Sequence, residues 1–259
     1  MSLFRRKNTE PVEVEPDEET KARLAAEQAE DDAEEQAALR AQTAERRRVR
    51  QGPMDAAEVV DVEGGIDLGA LRLNPRAGME LRMEVVPEDQ SVRSVTAVLG
   101  ASQVQLQVFA APRTAGVWDE IRAELVQEIS KQGGTADERE GTFGEEILAR
   151  LPVRTPDGRT GHQVTRFVGV DGPRWFLRAV ISGKAAVEAA EAEPVEEVIK
   201  GCVIHRDDQA MPPRQLLALR LPEGARPREA AAPEGEAGGA QEKAPLSPPE
   251  RGPEITEIR

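Results

Sequence analysis

Three arginines in TRFVGVDGPRWFLRAVISG, residues 165–183, have the chemistry to hold an anion. A guanidinium offers five N–H donors in a planar fork that matches carboxylate and phosphate groups. Arg174 and Arg178 share one face of a predicted strand, and Arg166 belongs to the strand before it. Antiparallel pairing of these strands is predicted to bring the three guanidinium groups together around an anionic ligand or a partner. The alternative is that the arginine stems only shelter apolar surface.

The aromatic residues among these arginines indicate the interior of a sheet. Trp175, Leu177 and Ile181 share one face of the predicted strand, whereas Phe176 and Val180 share the other. Because both faces are partly apolar, we expect a central strand with helices or long loops on either side. Trp175 is therefore predicted to be a core residue, since buried aromatic rings mostly contribute packing energy.

A second basic group lies in ERRRVR and consists of Arg46, Arg47, Arg48 and Arg50. Cations are favoured near the carboxyl end of a helix, so we interpret the cluster as the basic end of the acidic segment before it. Binding to an anionic membrane, to RNA or to an acidic partner is the alternative interpretation.

The residue types that usually carry catalysis are few and poorly spaced. His162 and His205 have no second His or Cys at ligand spacing, so we expect no metal site. Cys202 is predicted to be a buried, inert thiol without a base beside it. Glu145 and Glu146 have no second acidic pair, and VLGAS and KQGGT lack the spacing of a phosphate loop. We therefore expect no catalytic residues and no cofactor.

Alternating apolar and polar residues predict the strands of the first half of the chain. LRLNPRAGMELRMEVV breaks at Asn74-Pro75 and at Gly78, and VRSVTAVLGASQVQLQVFAAPR forms two strands that meet at Gly100. The glutamines of QVQLQV are predicted to face solvent, whereas the valines and the leucine face the core.

Two helices and three further strands complete the predicted order. VWDEIRAELVQEISKQGG predicts an amphipathic helix with Thr114 as its cap and one apolar stripe, made of Trp118, Ile121, Leu125 and Ile129. Three antiparallel strands follow, with turns at Thr155-Pro156-Asp157-Gly158 and Asp171-Gly172-Pro173. AEPVEEVIKGCVIHRDD then predicts a helix with Pro194 near its start and Gly201 at its end, followed by a short strand.

These elements predict one α+β domain over residues 65–221, an antiparallel sheet packed by two main helices. Residues 1–64 are predicted to be an acidic, alanine-rich tail, either disordered or a solvated helix, because its few large apolar residues cannot dock it firmly. Residues 222–259, rich in Pro, Gly, Ala and Glu, are predicted to be a disordered tail.

The composition excludes several classes of protein. The formal net charge of −14 opposes general binding to DNA or RNA. No apolar run reaches the roughly 20 residues of a membrane span, and no signal peptide follows the first basic residues. A single cysteine cannot form an intramolecular disulfide, so we expect a reducing, cytoplasmic location.

Three long stretches resemble an actinobacterial family of unknown function, DUF3710. They are GALRLNPRAGMELRMEV, VQLQVFAAPR with GVWDEIRAELVQEISKQGG, and RTPDGRTGHQVTRFVGVDGPRWFLRAVISG. The resemblance covers residues 65–221 and implies no catalytic motif, and it implies a gene often encoded near that of dUTPase. The order of elements is also similar to the Mog1/PsbP class of sandwich folds, which implies adaptor and assembly roles by analogy.

We therefore expect a non-enzymatic interaction or assembly module with a protein partner. The alternative is a small-molecule or nucleotide-binding protein or enzyme, linked to nucleotide metabolism, that uses the arginines of the first stretch on an anion. The absence of a catalytic constellation favours the first hypothesis, and the oligomeric state stays open.

Overall fold

The computed structural model describes residues 18–59, 65–86, 91–113, 116–154 and 160–222. Within these ranges the chain forms three α-helices, a sheet of seven strands and a sheet of four strands, called here the main sheet and the small sheet. All neighbouring strands of the main sheet are antiparallel, which confirms the predicted α+β class. The predicted turn at 155–158 and the predicted tail beyond residue 222 lie outside the described residues.

The elements succeed one another as α1 (Glu18–Gln51), β1 (Met54–Asp55), β2 (Ile66–Asp67), β3 (Leu71–Leu73), β4 (Met79–Val85), β5 (Val92–Leu99), β6 (Ser102–Ala110), α2 (Trp118–Lys131), β7 (Thr135–Gly141), β8 (Gly144–Arg154), β9 (Thr160–Gly172), β10 (Trp175–Gly183), α3 (Ala189–Lys200) and β11 (Val203–Ile204). The strand order is β4-β5-β6-β10-β9-β8-β7 in the main sheet and β1-β11-β3-β2 in the small sheet. In the small sheet β1 and β11 run parallel.

Strand β10 divides the apolar core into two layers, because its side chains alternate between the faces of the main sheet. Trp175, Leu177 and Ile181 are fully buried on the side of α3 and the small sheet. Phe176 is buried on the opposite side, where its ring stacks on Trp118 of α2 at a centroid distance of 5.9 Å. The predictions that this strand is central and that Trp175 is a core residue are confirmed.

Helix α2 packs over β7, β8 and β9 through the predicted apolar stripe. Gly169 of β9 makes this packing possible, since a Cβ at that position would overlap the Trp118 indole ring. Thr114, the predicted cap, lies outside the described residues. The carboxylate of Asp171 in β9 instead accepts the backbone N–H groups of Val117 at 2.8 Å and Trp118 at 3.3 Å. A residue from a distant strand thus caps the helix.

Helix α3 covers the other face of the main sheet with Val195, Val198 and Ile199. The prediction that Pro194 lies near the helix start is wrong, because the alanine-rich residues before it are helical from Ala189 onward. Proline has no N–H, so the helix loses one backbone hydrogen bond at this position. Burial of the apolar residues that follow offsets that loss.

The last described segment closes a gap in the main sheet. Strands β5 and β6 pair with each other only near their shared turn. Farther from that turn they separate, and the segment that follows α3 and β11 lies between them. Leu216 bridges to Phe109 of β6, and Leu219 bridges to Val92 of β5. The N–H of Leu217 donates to the carbonyl of Val108 at 2.8 Å. Both strands therefore depend on a segment that lies more than 100 residues later in the sequence.

Helix α1 is a solvated helix that is docked only at its carboxyl end. Every side chain from Ala26 to Arg46 is exposed, whereas that of Arg48 is 0% exposed. The Arg48 guanidinium donates to Glu45 at 2.5 Å and to Glu58 at 2.6 Å, and it lies 5.6 Å from the centroid of the Trp175 ring.

Residues just after α1 are part of the fold as well. Strand β1 pairs with β11, and Asp55 of β1 accepts a 2.7 Å hydrogen bond from the Trp175 indole Nε1. Asp55 and Glu58 also form a capping box around the short 3₁₀ turn Ala56–Glu58. The packed part of the chain therefore begins before the predicted boundary at residue 65.

Replacing Arg48 with Ala is expected to lower the free energy of unfolding by about 1–3 kcal/mol, because it removes a buried side chain from the Trp175 ring and the cation that Glu45 and Glu58 share. Chemical denaturation of the full chain measures this change. Arg82 of β4 is the control, since its side chain is 67% exposed, and Arg82→Ala should stay within about 0.5 kcal/mol of the wild type. Equal effects of the two substitutions would contradict the docking role of Arg48.

The Arg48–Glu58 pair also predicts an acid dependence of stability. The hydrogen bond from Arg48 lowers the pKa of the Glu58 carboxyl below its ordinary value of 4.5. The pair therefore stabilises the fold above the pKa of the unfolded chain, and this contribution is lost as the pH falls through the lower pKa of the folded state. Melting curves between pH 7 and pH 3 should show a smaller acid-induced loss for Glu58→Gln than for the wild type.

Candidate functional site

The structure does not bring the three predicted arginines together. Arg166 pairs with Ile181 and shares its face of the main sheet, on the α3 side. Arg178 pairs with Gly169 and shares the α2 side. Arg174 lies in the turn before β10 with a φ of 62°, and its guanidinium is 3.5 Å from the exposed carboxylate of Asp208. The predicted convergence is wrong because Arg166 and Arg178 are on opposite faces of their strand pair.

Arg166 lies at the centre of a buried ion network on the α3 side. Its Nε and NH2 groups donate to Glu146 at 3.0 and 2.8 Å, and NH2 also donates to Glu196 at 2.7 Å. Arg139 donates to Glu146 at 2.8 Å, and the Thr142 hydroxyl donates to Glu196 at 2.6 Å. Burial acts to lower the pKa of Arg166, but the two carboxylates outweigh it and raise that pKa.

This network forms the floor of a cleft between β8, β9 and the start of α3. The cleft has a volume of about 490 Å³, which is within the range of small-molecule sites. However, its arginines are bound to the chain's own carboxylates: Arg139 and Arg166 to Glu146, and Arg150 to Asp137 at 2.9 Å. The positive charge of the cleft is therefore already neutralised, and we assign the network a structural role.

A different surface lies on the α2 side of β5, β6 and β10, beside the strands that α2 covers. We call it the polar face, and its side chains are Ser94, Thr96, Val98, Gln103, Gln105, Gln107, Arg178, Val180 and Ser182. Gln103 donates to the Ser182 hydroxyl at 3.0 Å, and Gln105 donates to the Ser94 hydroxyl at 3.1 Å. Amides and hydroxyls on this sheet surface can both donate and accept hydrogen bonds.

Arg178 is the cation of the polar face. Its NH2 group donates to the Gln107 amide oxygen, and its guanidinium lies 5.8 Å from the centroid of the Phe109 ring. The Nε atom is buried and has no hydrogen-bond partner within the described residues. Burial lowers the pKa of Arg178, and no carboxylate of the described residues opposes that shift. The guanidinium is therefore partly desolvated without a counter-charge.

Comparison with known proteins places the chain in a family. Residues 52–228 match the family model described as "Protein of unknown function (DUF3710)". The chain belongs to the DUF3710 family. The DUF3710 match begins directly after α1 and includes both the cleft and the polar face, so only α1 and the chain ends lie outside it.

Two further comparisons add no functional information to the DUF3710 match. No curated protein sequence matches the chain. A crystal structure from Bacteroides thetaiotaomicron VPI-5482, at 1.50 Å resolution, is 14% identical in sequence and has a TM-score of 0.34. The match covers 58% of this chain and 52% of that chain, so this chain spans about half the length of that protein. A likeness this weak carries no argument about fold or function.

The basic cluster at the end of α1 is not one surface. Arg48 is buried with Glu45 and Glu58, Arg47 donates to Glu140 at 2.6 Å, and Arg46 is exposed. The side chain of Arg50 lies outside the described part of the chain. Arg46, Arg47 and Arg48 lie near the carboxyl end of α1, and Arg48 is the residue that docks this end.

The other candidate residues lie apart from one another. Cys202 is fully buried, its thiol donates to the Val198 carbonyl at 3.3 Å, and burial raises the pKa of the thiol. His162 and His205 are exposed. Within the described ranges, no group of three or more His, Cys, Asp or Glu side chains is arranged to hold a metal ion, and no helix is long and apolar enough to cross a membrane.

Sequence reasoning missed the carboxylates that neutralise Arg166. A signal was present, because Glu146 alternates with Leu148 in β8 and Leu148 pairs with Arg166. Extending the predicted strand back by two residues would have placed the carboxylate on the same face as the guanidinium. Glu196, in contrast, comes from α3, and no local pattern indicates which residues a helix presents to a distant strand.

Replacing Arg166 with Gln is expected to destabilise the fold by about 3–5 kcal/mol, because Glu146, 2% exposed, loses its main partner. The double variant Arg166→Gln with Glu146→Gln should recover part of this loss, giving a coupling energy of about 0.5–3 kcal/mol in a double-mutant cycle. Arg150→Gln is the control, since its side chain is 50% exposed. Strictly additive effects would show that the network is not a unit.

Proposed function

We propose that this DUF3710 protein is a non-enzymatic binding module whose polar face receives an acidic group of a protein partner at Arg178. The observation that carries the proposal is the partly buried guanidinium of Arg178, which has no carboxylate partner among the described residues. The cytoplasm is the proposed location, since the single cysteine is buried as a free thiol.

The contrast with Arg48 and Arg166, the buried arginines of the described residues, supports this role. Arg48 and Arg166 each bind two carboxylates of the chain itself, as expected for cations that only stabilise the fold. Removing a cation from water without an opposite charge is unfavourable. A ligand that supplies the missing negative charge would explain why a partly desolvated cation is present at this position.

The shape of the surface favours a protein partner over a nucleotide. Nucleotides and other small molecules bind in concave pockets. The 490 Å³ cleft, however, is on the opposite side of the main sheet from Arg178, and its cations are already paired. The polar face is a sheet surface with rows of amides and hydroxyls, which suits the side chains of an extended acidic segment.

The arrangement of nucleophilic groups supports a non-enzymatic role. A nucleophilic cysteine needs a lowered pKa and a nearby base. Burial instead raises the pKa of the Cys202 thiol, and its hydrogen-bond partner is a backbone carbonyl. Among the described residues, neither histidine has a hydrogen-bonded carboxylate that would orient it as a base.

The variant Arg178→Gln tests the proposal, because glutamine keeps a polar stem and removes only the charge. Thermal melting of the full chain is measured with and without a hexaglutamate peptide. We expect the peptide to raise the melting temperature of the wild type and not that of Arg178→Gln. Without peptide, the variant should be at least as stable as the wild type, because an unpaired partly buried cation is removed. Arg139→Gln, which alters the cleft on the opposite side of the sheet, should keep the response to the peptide.

Two results would contradict the proposal. If ATP or dUTP stabilises the wild type through Arg178 and the peptide does not, the face binds nucleotides. A ligand at 100 times its dissociation constant stabilises by about 2.7 kcal/mol, so the melting assay detects such binding. If Arg178→Gln lowers stability and no probe acts on the wild type, Arg178 is a structural residue only.

A further inference from the structure

We propose that α1 pairs antiparallel with α1 of a second copy of this chain, with the two Leu39 side chains in contact at the twofold axis. This inference is independent of the polar face and of Arg178. It concerns a segment before the DUF3710 match, and so it is a property of this chain rather than of the family domain.

The first observation is a long helix without tertiary contacts along most of its length. Helix α1 has 34 residues and is therefore about 51 Å long. Its side chains are exposed from Ala26 to Arg46, and only the last turn is docked on the domain. Most helical stability in proteins comes from packing of one face against another element. The exposed part of α1 has such a face available for a partner.

The second observation is an exposed leucine between two opposite charges on the same helix face. Leu39 is 64% exposed. Asp32 precedes it by seven residues and Arg46 follows it by seven residues, and both side chains are exposed. Seven residues are close to two helical turns, so the three side chains share one face. Along the helix, this face is therefore acidic at Asp32, apolar at Leu39 and basic at Arg46.

Only an antiparallel copy complements this order. With Leu39 against Leu39 of the second helix, Asp32 lies opposite Arg46 of the second helix, and Arg46 lies opposite its Asp32. The same register places the exposed Val49 opposite Ala29. Twofold symmetry makes the Asp32–Arg46 and Val49–Ala29 contacts occur twice, whereas the Leu39 contact lies on the axis and occurs once. A parallel copy would instead set Asp32 against Asp32 and Arg46 against Arg46, which is repulsive.

The charge distribution of the whole helix points in the same direction. Six acidic residues lie between positions 27 and 35, whereas five arginines and one glutamate lie between positions 36 and 51. An antiparallel pair sets the acidic half of each helix beside the basic half of the other. An acidic amino end and a basic carboxyl end also complement the macrodipole of a single helix, so this charge distribution alone does not require a second helix. The argument for antiparallel pairing therefore depends on the spacing of Asp32, Leu39 and Arg46.

Cysteine cross-linking tests the geometry cleanly, because the native Cys202 is fully buried. Under mild oxidation Leu39→Cys should form a disulfide-linked dimer. The matched control Ala37→Cys, two residues away on the opposite helix face, should stay monomeric on a denaturing gel. A mixture of Asp32→Cys and Arg46→Cys should give the mixed dimer in preference to either self-linked dimer. Preferential self-linking of Asp32→Cys would overturn the antiparallel arrangement.

Charge reversal tests the energetics on the full chain. Sedimentation equilibrium should show a dimer for the wild type. Asp32→Arg and Arg46→Asp should each raise the dissociation constant about tenfold or more, because each places like charges opposite each other. The double variant should restore the dissociation constant to within about threefold of the wild type. A wild type that is monomeric at every concentration, or a double variant weaker than both single variants, would overturn the proposal.

Discussion

A guanidinium removed from water needs an opposite charge, and this requirement links the distant parts of the fold. Arg48 binds Glu45, which precedes β1 in the sequence, and Glu58, which follows it. Its guanidinium also lies against the Trp175 ring, so it joins the end of α1 to the centre of the main sheet. Arg166 joins β9 to β8 and to α3 through two carboxylates. Each cation therefore links elements that are not hydrogen-bonded to each other as strands, which are α1 and β10 for Arg48 and β9 and α3 for Arg166.

The same requirement separates structural arginines from a candidate binding residue. Arg166, Arg174 and Arg178 look alike in the sequence, yet the structure gives them three environments: a buried network, an exposed turn and a partly desolvated sheet surface. Only the last lacks an acidic partner within the described ranges. A partner's carboxylate would supply there what Glu146 and Glu196 supply on the other face.

Strands and helices whose apolar residues recur at regular spacing could be predicted from the sequence. Elements whose position depends on contacts with distant residues could not. The alternation in β10 and the stripe of α2 follow from periodicity, which is why the central sheet and Trp175 were correctly predicted. Strand β7, TADEREG, carries almost no apolar residues, because it is an edge strand, and it was missed. The face assignment of Arg166 relative to Arg178 failed because it depends on the register across the β9–β10 turn, where Arg174 takes a positive φ.

The insertion of residues 214–219 between β5 and β6 has a consequence for synthesis on the ribosome. Strands β5 and β6 are among the first elements of the main sheet to emerge, and β4 and β10 pair with their outer edges. The edges by which their far ends face each other are bridged only when Leu216 and Leu219 have been made. Strand β1 likewise waits for β11, almost 150 residues later. Contacts between such distant positions slow folding, because the chain loses the entropy of closing a long loop before it gains the energy of the contacts. The nascent chain therefore exposes unpaired strand edges until nearly all of the domain has been translated, a period in which chaperones would protect it from aggregation.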